Sequence, residues 1–319
     1  MSILFENILI EALEKVDVTK ERVDVSTLSF FVCGGLVDAG CEPPPSFRDR
    51  FYSYTATNSL GIHDSIVLAE SFKDYFKENA YPDLLVFEDE IANISSLVII
   101  FLESPGSLVE LGMFCNKPSF YKKLLIVAPQ DKIHGEDSFI YLGPLENIRK
   151  KEPSSVVIYP WPDQNSSGYE SEHLVDLCEL IEKKIRKSDK SEKFSHENSG
   201  HIALLISDIV TLSYPILVGE IELCLEALNL TINSTVISRH IYLLTKLNII
   251  GSYQYSGHKY YYPIIKGHSY LNFIRSRGFD SQKVQMKLRQ SFSGSDSPSD
   301  RKRRSAFKEI RKLISGVST

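Results

Sequence analysis

The sequence predicts an α/β chain, a parallel sheet covered by helices on both faces, followed by a C-terminal winged helix-turn-helix. Three observations carry this. Short apolar runs, "TLSFFVC" (27–33), "LVIIFL" (97–102), "KKLLIVAP" (122–129) and "SVVIYPW" (155–161), alternate with helical segments, the pattern of strands buried on both faces with helical crossovers. Beyond a polar stretch at 188–200, three helical segments precede a run that alternates around Gly257, the order of a winged helix. Charge also divides: residues 1–234 hold 20 Lys/Arg against 37 Asp/Glu, and residues 235–319 hold 16 against 4. An acidic body with a basic end points to a polyanionic partner.

Each element follows in order. Residues 3–16 place Ile8, Leu9, Ala12, Leu13 and Val16 at helical spacing. The run 27–33 ends in Gly34-Gly35, a buried strand entering a tight turn. "PSFRDRFYSYTAT" is the next helix, with Ser46 as its cap. A strand at 65–69 and a helix follow, then the helix "DLLVFEDEIANISS". The strand 97–102 leads into the helix "SLVELGMFCN", and 172–187 is strongly amphipathic. The helices of the C-terminal part are "HIALLISDIVTLSY", "LVGEIELCLEAL" and "NSTVISRHIYLLTKLNII", the last capped by Asn233 or Ser234. Residues 281–319 read as a basic tail, disordered in composition at first and amphipathic over 301–314. The expected domains are therefore 1–190, 200–280 and the tail 281–319.

No run of about 18 apolar residues occurs, so no membrane span is expected. The acidic, amphipathic N-terminus lacks the basic region and cleavage site of a signal peptide. Five cysteines form no C-x-x-C pair, which argues for a reduced, cytoplasmic protein with no metal framework.

In a parallel sheet, ligands bind beyond the carboxyl ends of strands. Three loops qualify: the turn holding Cys33, Gly34 and Gly35, the segment around Glu70, and "ESPGSLVE" with Ser104, Gly106 and Ser107. Neither a Walker loop nor G-x-G-x-x-G is present. Glu110 has two readings. Ser107-Leu108-Val109-Glu110 is an S-x-x-E capping box. The helix dipole that favours a capping glutamate would also keep Glu110 ionised, and an ionised carboxylate beside a sugar-binding loop can attack an anomeric carbon. Glu70, Glu88 and Asp89 are candidate partners, and Glu103 is near in sequence. For nucleic acid, the third helix of the winged segment offers Ser234, Thr235, Ser238, Arg239 and His240. The wing offers Tyr255, His258 and Lys259, and the tail offers Arg301, Lys302, Arg303 and Arg304.

"FFVCGG", "LVIIFLESPGSLVELGMF" and "SFIYLGPL" together resemble the effectors of bacterial retrons, accessory proteins encoded with a reverse transcriptase and its multicopy single-stranded DNA. The resemblance covers roughly residues 27–160 by motif and the C-terminal half by layout. It implies a flavodoxin/Rossmann-like, nucleoside deoxyribosyltransferase-like domain over 1–190, followed by a winged helix. In that superfamily the glutamate of the G-[ST]-x-x-E-L-G turn is the nucleophile, which is Glu110 here. An acidic residue on the helix before the central strand, Glu88 or its neighbour Asp89, assists proton transfer, and Gly34 and Gly35 help form the pocket. The family's first-strand aromatic residue has no secure equivalent, since Phe30 and Phe31 read as core. The resemblance further implies N-glycosidic cleavage of a nucleotide, with NAD the leading substrate rather than a cofactor. It also implies growth arrest during phage infection, and inhibition by the complex of reverse transcriptase with multicopy single-stranded DNA–RNA. A homo-oligomer and no membrane association are expected. Two alternatives stand beside this reading: a nucleotide-sensing DNA-binding regulator, and a metabolic nucleoside deoxyribosyltransferase.

Overall fold

The computed structural model describes residues 3–26, 29–75, 81–133, 139–163, 169–264, 268–271 and 278–316. In chain order the elements begin with α1 (Ile3–Leu13), β1 (Arg22–Asp24), β2 (Phe30–Cys33), α2 (Phe47–Asn58), α3 (Leu60–His63) and β3 (Ile66–Leu68). A 3₁₀ segment (Ala69–Tyr75) follows, then α4 (Leu84–Ile94), β4 (Leu97–Phe101), α5 (Pro105–Cys115), β5 (Leu124–Pro129), α6 (Gln130–Ile133), α7 (Glu146–Lys151), β6 (Val156–Tyr159) and α8 (Ser171–Lys187). The remainder is β7 (Ser191–Lys193), α9 (Ser199–Ser213), α10 (Val218–Ala227), α11 (Ser234–Lys246), β8 (Ile250–Tyr255), β9 (His258–Pro263), α12 (Ser281–Ser293) and α13 (Pro298–Gly316).

These elements form two compact units, and both are discontinuous in sequence. The sheet unit comprises Ser26–Lys73 and Ser95–Asp189; the helical unit comprises Met1–Val25, Asp74–Ile94 and Lys190–Thr319. The linear division at 1–190, 200–280 and 281–319 differs from this. Phe5, Leu9 and Leu13 of α1 share one core with α9, α10 and α11, and α4 belongs to the same unit.

In the sheet unit five parallel strands run in the order β3-β2-β4-β5-β6. The pairs Phe31↔Val67, Phe31↔Val98, Ile100↔Ile126 and Val127↔Val157 fix the register. Strands β2, β4 and β5 are buried along their whole length, as near-continuous Val/Ile/Leu/Phe runs require. Phe30, Val32, Ile99, Phe101 and Val127 share one core with Phe47 and Phe51 of α2 and Leu177 and Ile181 of α8. Strand order reverses at β2, with β3 on one side and β4 on the other. The crevice at the carboxyl ends of β2 and β4 is therefore the topological switch point, where ligands bind in such sheets.

In the helical unit, α9 is buried on every side, as its all-round apolar sequence demands. A methyl group on Gly200 would lie 2.5 Å from the Asn93 carbonyl oxygen, so only glycine lets α9 approach α4 this closely. Asp208, fully buried on α9, accepts from the Tyr270 and Leu271 amides and the Ser269 hydroxyl. The polar stretch at 188–200, between the expected domains, contains β7, which pairs antiparallel with β1. Helices α9, α10 and α11 precede the β8–β9 hairpin, and Ile216 exchanges backbone hydrogen bonds with Tyr261 of β9.

The segment expected to be a basic tail folds as α12 and α13. Ala306, Ile310 and Ile314 pack on Tyr260 of the hairpin. Arg303 is 2% exposed, pairs with buried Glu220, donates to the Pro215 carbonyl and stacks 3.8 Å from the Phe5 ring centroid. The apolar stripe of α13 thus meets a covering surface within the unit.

Candidate active site

The site is built from the turns that follow β2, β3 and β4. After β4, Ser104 adopts an extended conformation (φ −134°) and caps α5, with Pro105 at the first helical position. Its hydroxyl accepts from the Ser107 amide at 3.1 Å, and the Ser107 hydroxyl accepts from the Ser104 amide at 3.1 Å. The capping box is thus Ser104–Ser107. The expected Ser107–Glu110 box does not form, because Ser-Pro starts the helix three residues earlier and leaves Glu110 past its first turn.

The Ser104 hydroxyl also donates to the Gly34 carbonyl at 3.1 Å, joining the β4 turn to the β2 turn. Gly34 takes φ +154°, and a Cβ there would lie 2.8 Å from Phe101 Cβ; one on Gly35 would lie 2.7 Å from Ser46 Cβ. Glu103 clamps the same corner: its carboxylate accepts from the amides of Gly35 (2.9 Å), Phe47 (2.8 Å) and Arg48 (3.1 Å). Ser46 caps α2 as expected, accepting from the Asp49 amide. Glu103 is therefore a backbone clamp at the start of α2, with both oxygens engaged.

Glu110 projects from α5 into this corner. It is 9% exposed, hydrogen-bonds with Cys33 at the end of β2, and has no partner at Oε2. Burial raises its pKa to about 7 from an ordinary value near 4.5; the Cys33 bond and the Arg48 charge oppose the rise, and Glu70 adds to it. The expectation that the helix dipole keeps Glu110 ionised is corrected here: a residue beyond the first turn gains little from the dipole, and desolvation wins. Near neutral pH the group is divided between carboxylate and acid.

Arg48, which the sequence did not single out, supplies the positive charge. It is 1% exposed on α2, donates from Nη1 to the Val32 carbonyl at 3.2 Å, and pairs through Nη2 with Glu70, two residues beyond β3. Arg48 Nε and Glu70 Oε2 are both buried and without a hydrogen-bond partner. The only sequence signal for Arg48 was a charge flanked by Phe47 and Phe51, which are both core residues.

Of the sequence candidates, Cys33, Gly34, Gly35, Glu70, Ser104, Ser107 and Glu110 converge here. Gly106 is exposed in the first turn of α5. Glu88 and Asp89 lie on α4 in the helical unit, where Glu88 is 5% exposed and the Asp89 carboxylate is 3.4 Å from Asn93 Nδ2. Within the unit that carries Glu110, Glu70 is the carboxylate whose charge bears on it. Among the described residues, no group of three or more His, Cys, Asp or Glu side chains is placed to hold a metal ion.

Several nucleic-acid candidates are engaged in structural contacts. Arg239 donates to Glu90 Oε1 from Nε (3.0 Å) and Nη2 (2.6 Å), and His240 is 1% exposed beneath it. Arg303 is the buried stack described above, and Arg304 donates to the carbonyls of Phe292, Ser293 and Ser295, closing the end of α12. These four placements share a cause: each side chain finds a carboxylate, an apolar wall or a helix terminus within its own unit. Ser234, Thr235, Ser238 and Lys259 are exposed and His258 is half-buried, with its Nδ1 3.0 Å from the Ser256 carbonyl; Tyr255 is half-buried against Tyr253. Arg301 pairs with Asp296 at the surface, and Lys302 reaches the Ser256 carbonyl at the hairpin turn.

Comparison with known proteins decides the family. Residues 44–252 match the family described as STM3845 retron effector protein. The chain belongs to this retron effector family. The match takes in Arg48, Glu70, Glu110 and helices α9–α11. Two relatives come from Escherichia coli. The effector is 32% identical over 160 residues to the "Retron Ec86 putative ribosyltransferase/DNA-binding protein" and 30% identical over 128 residues to its retron Ec73 namesake. These alignments cover 50% and 39% of the effector, and 47% and 39% of the relatives, so the chain spans less than half the length of each relative it matches. Among the described residues, no helix of the effector is long and apolar enough to cross a membrane.

Proposed function

We propose that this effector is an N-glycosidase that cleaves a nucleotide, with NAD the leading substrate, and that Glu110 is its nucleophile. The observation that carries the reading is the unpartnered Oε2 of a buried glutamate at the sheet's switch point. A buried polar atom without a partner is costly, and capping does not account for it, since Ser104 and Ser107 satisfy each other. The ribosyltransferase part of the relatives' names supports the same chemistry.

In the proposed reaction, Glu110 Oε2 attacks C1 of the ribose as the C–N bond breaks with its electron pair passing to the base. Nicotinamide is bound through a cationic ring nitrogen and departs neutral, so its leaving requires no general acid. A cationic ring beside Glu110 also favours the carboxylate form and offsets the desolvation that holds its pKa near 7. Water then displaces the ribose from Glu110, delivering one proton to solvent and restoring the carboxylate.

The helical unit is proposed as the regulatory half. Its helix–helix–helix–hairpin order, with Ile216 paired to β9, is that of a winged helix. The exposed α11 residues Ser234, Thr235 and Ser238, together with His258 and Lys259, are its proposed contacts to multicopy single-stranded DNA–RNA or to the reverse transcriptase, which would hold the enzyme inactive until phage infection.

The deciding experiment incubates purified effector with NAD and follows free nicotinamide, wild type against Glu110→Gln. Loss of a covalent nucleophile should lower the rate by about 10³-fold or more, and expression of the variant should no longer arrest growth. Nicotinamide release by Glu110→Gln at near wild-type rate would remove Glu110 from the role.

A further inference from the structure

The Arg48–Glu70 pair is an incomplete fork. Arginine–carboxylate pairs are commonly bidentate, with two parallel N–H···O bonds. Here only the Nη2–Oε1 bond is made; Nε and Oε2 are each buried and unpartnered. One open atom is a donor and the other an acceptor, a combination that a hydroxyl group satisfies at once by accepting from Nε–H and donating to Oε2. The Arg48 side chain is held in place. Arg48 is 1% exposed, is tied by Nη1 to the Val32 carbonyl, and its Cδ lies 3.2 Å from where a Gly34 Cβ would stand.

The pair also lies beside the proposed nucleophile. Glu110 bonds with Cys33 at the end of β2, while Arg48 bonds with Val32 one residue earlier, and Glu70 follows β3 on the neighbouring edge. The ribose carbon next to C1 is C2, so a group that reads the C2 substituent must adjoin the group that attacks C1. Building on the N-glycosidase reading, we propose that Arg48 and Glu70 bind the 2′-hydroxyl of the substrate's ribose, making this effector selective for ribonucleotides over their 2′-deoxy counterparts. A site that presents buried hydrogen-bonding groups to a hydroxyl rejects an analogue lacking it, because those groups are then left unpaired.

The test pairs cleavage with binding, using NAD and an NAD analogue that is 2′-deoxy on the nicotinamide ribose. In cleavage, wild type should prefer NAD by about 100-fold or more in kcat/KM, and Glu70→Gln should shrink that preference to within about fivefold by lowering the NAD rate. In binding, measured on Glu110→Gln protein, NAD should bind more tightly than the analogue, and adding Glu70→Gln should abolish the difference. Glu70 is partly exposed, so Glu70→Gln should fold; Arg48→Lys, which keeps the charge but loses Nε–H, should blunt the preference in the same direction. Cleavage of both compounds at similar rates, or a preference unchanged in Glu70→Gln, overturns the hydroxyl assignment and leaves the glycosidase reading intact. Discrimination in binding without cleavage of NAD supports the hydroxyl assignment and overturns NAD cleavage. Equal binding without cleavage overturns both.

Discussion

At the scale of single residues, Glu110 joins a stability cost to a chemical use. Its folded pKa, about 7, lies above the ordinary glutamate value near 4.5. The folded state therefore binds its proton more tightly than the unfolded chain does. Folding stability is fully retained below about pH 4.5 and falls as pH rises towards 7. Glu110→Gln should consequently be more stable than wild type at pH 8, by about 3 kcal/mol, with the difference closing near pH 4.5; thermal melts at the two pH values measure it. As a nucleophile the carboxylate must be ionised, so kcat/KM for NAD should rise with pH and level off above about 7. The sequence made Glu110 conspicuous through its S-x-x-E spacing while suggesting the wrong box. Pro105 was the better guide, since proline favours the first helical position and so marks Ser104 as the cap. Arg48 was illegible because burial of an arginine depends on a carboxylate 22 residues away in sequence.

At the scale of elements, the site depends on three turns held together by few bonds. Ser104→Ala removes the cap and the tie to the Gly34 carbonyl, and should cost about 1 kcal/mol by chemical denaturation. Gly34→Ala should cost more, because its methyl would lie 2.8 Å from Phe101 Cβ, 3.1 Å from Glu103 Oε1 and 3.2 Å from Arg48 Cδ, at a positive φ. Both should lower the cleavage rate by displacing the β2 turn from Glu110. The central strands were readable in sequence because burial on both faces demands continuous apolar runs. Strands β1 and β7 were not: each has three residues, "RVD" and "SEK", and they pair with partners about 170 positions apart. No local period signals such a pairing.

At the scale of the whole molecule, part of the basic excess over 235–319 is used inside the fold: Arg239, Arg303 and Arg304 are bound within the helical unit. Arg303→Ala would leave Glu220 buried without its partner and should destabilise that unit by about 3–5 kcal/mol. Replacing both members, Arg303→Met with Glu220→Leu, should restore much of the loss, and urea titration followed by a probe in the helical unit distinguishes the two. The stacking of Arg303 on Phe5 has a further consequence, for the order of synthesis. A ribosome adds about 5–20 residues per second, so Phe5 waits roughly 15–60 seconds for the helix that covers it. The sheet unit that carries Glu110 ends at Asp189. On a growing chain, the proposed catalytic half should mature before the half proposed to restrain it, and any nascent chain released early would carry the first without the second.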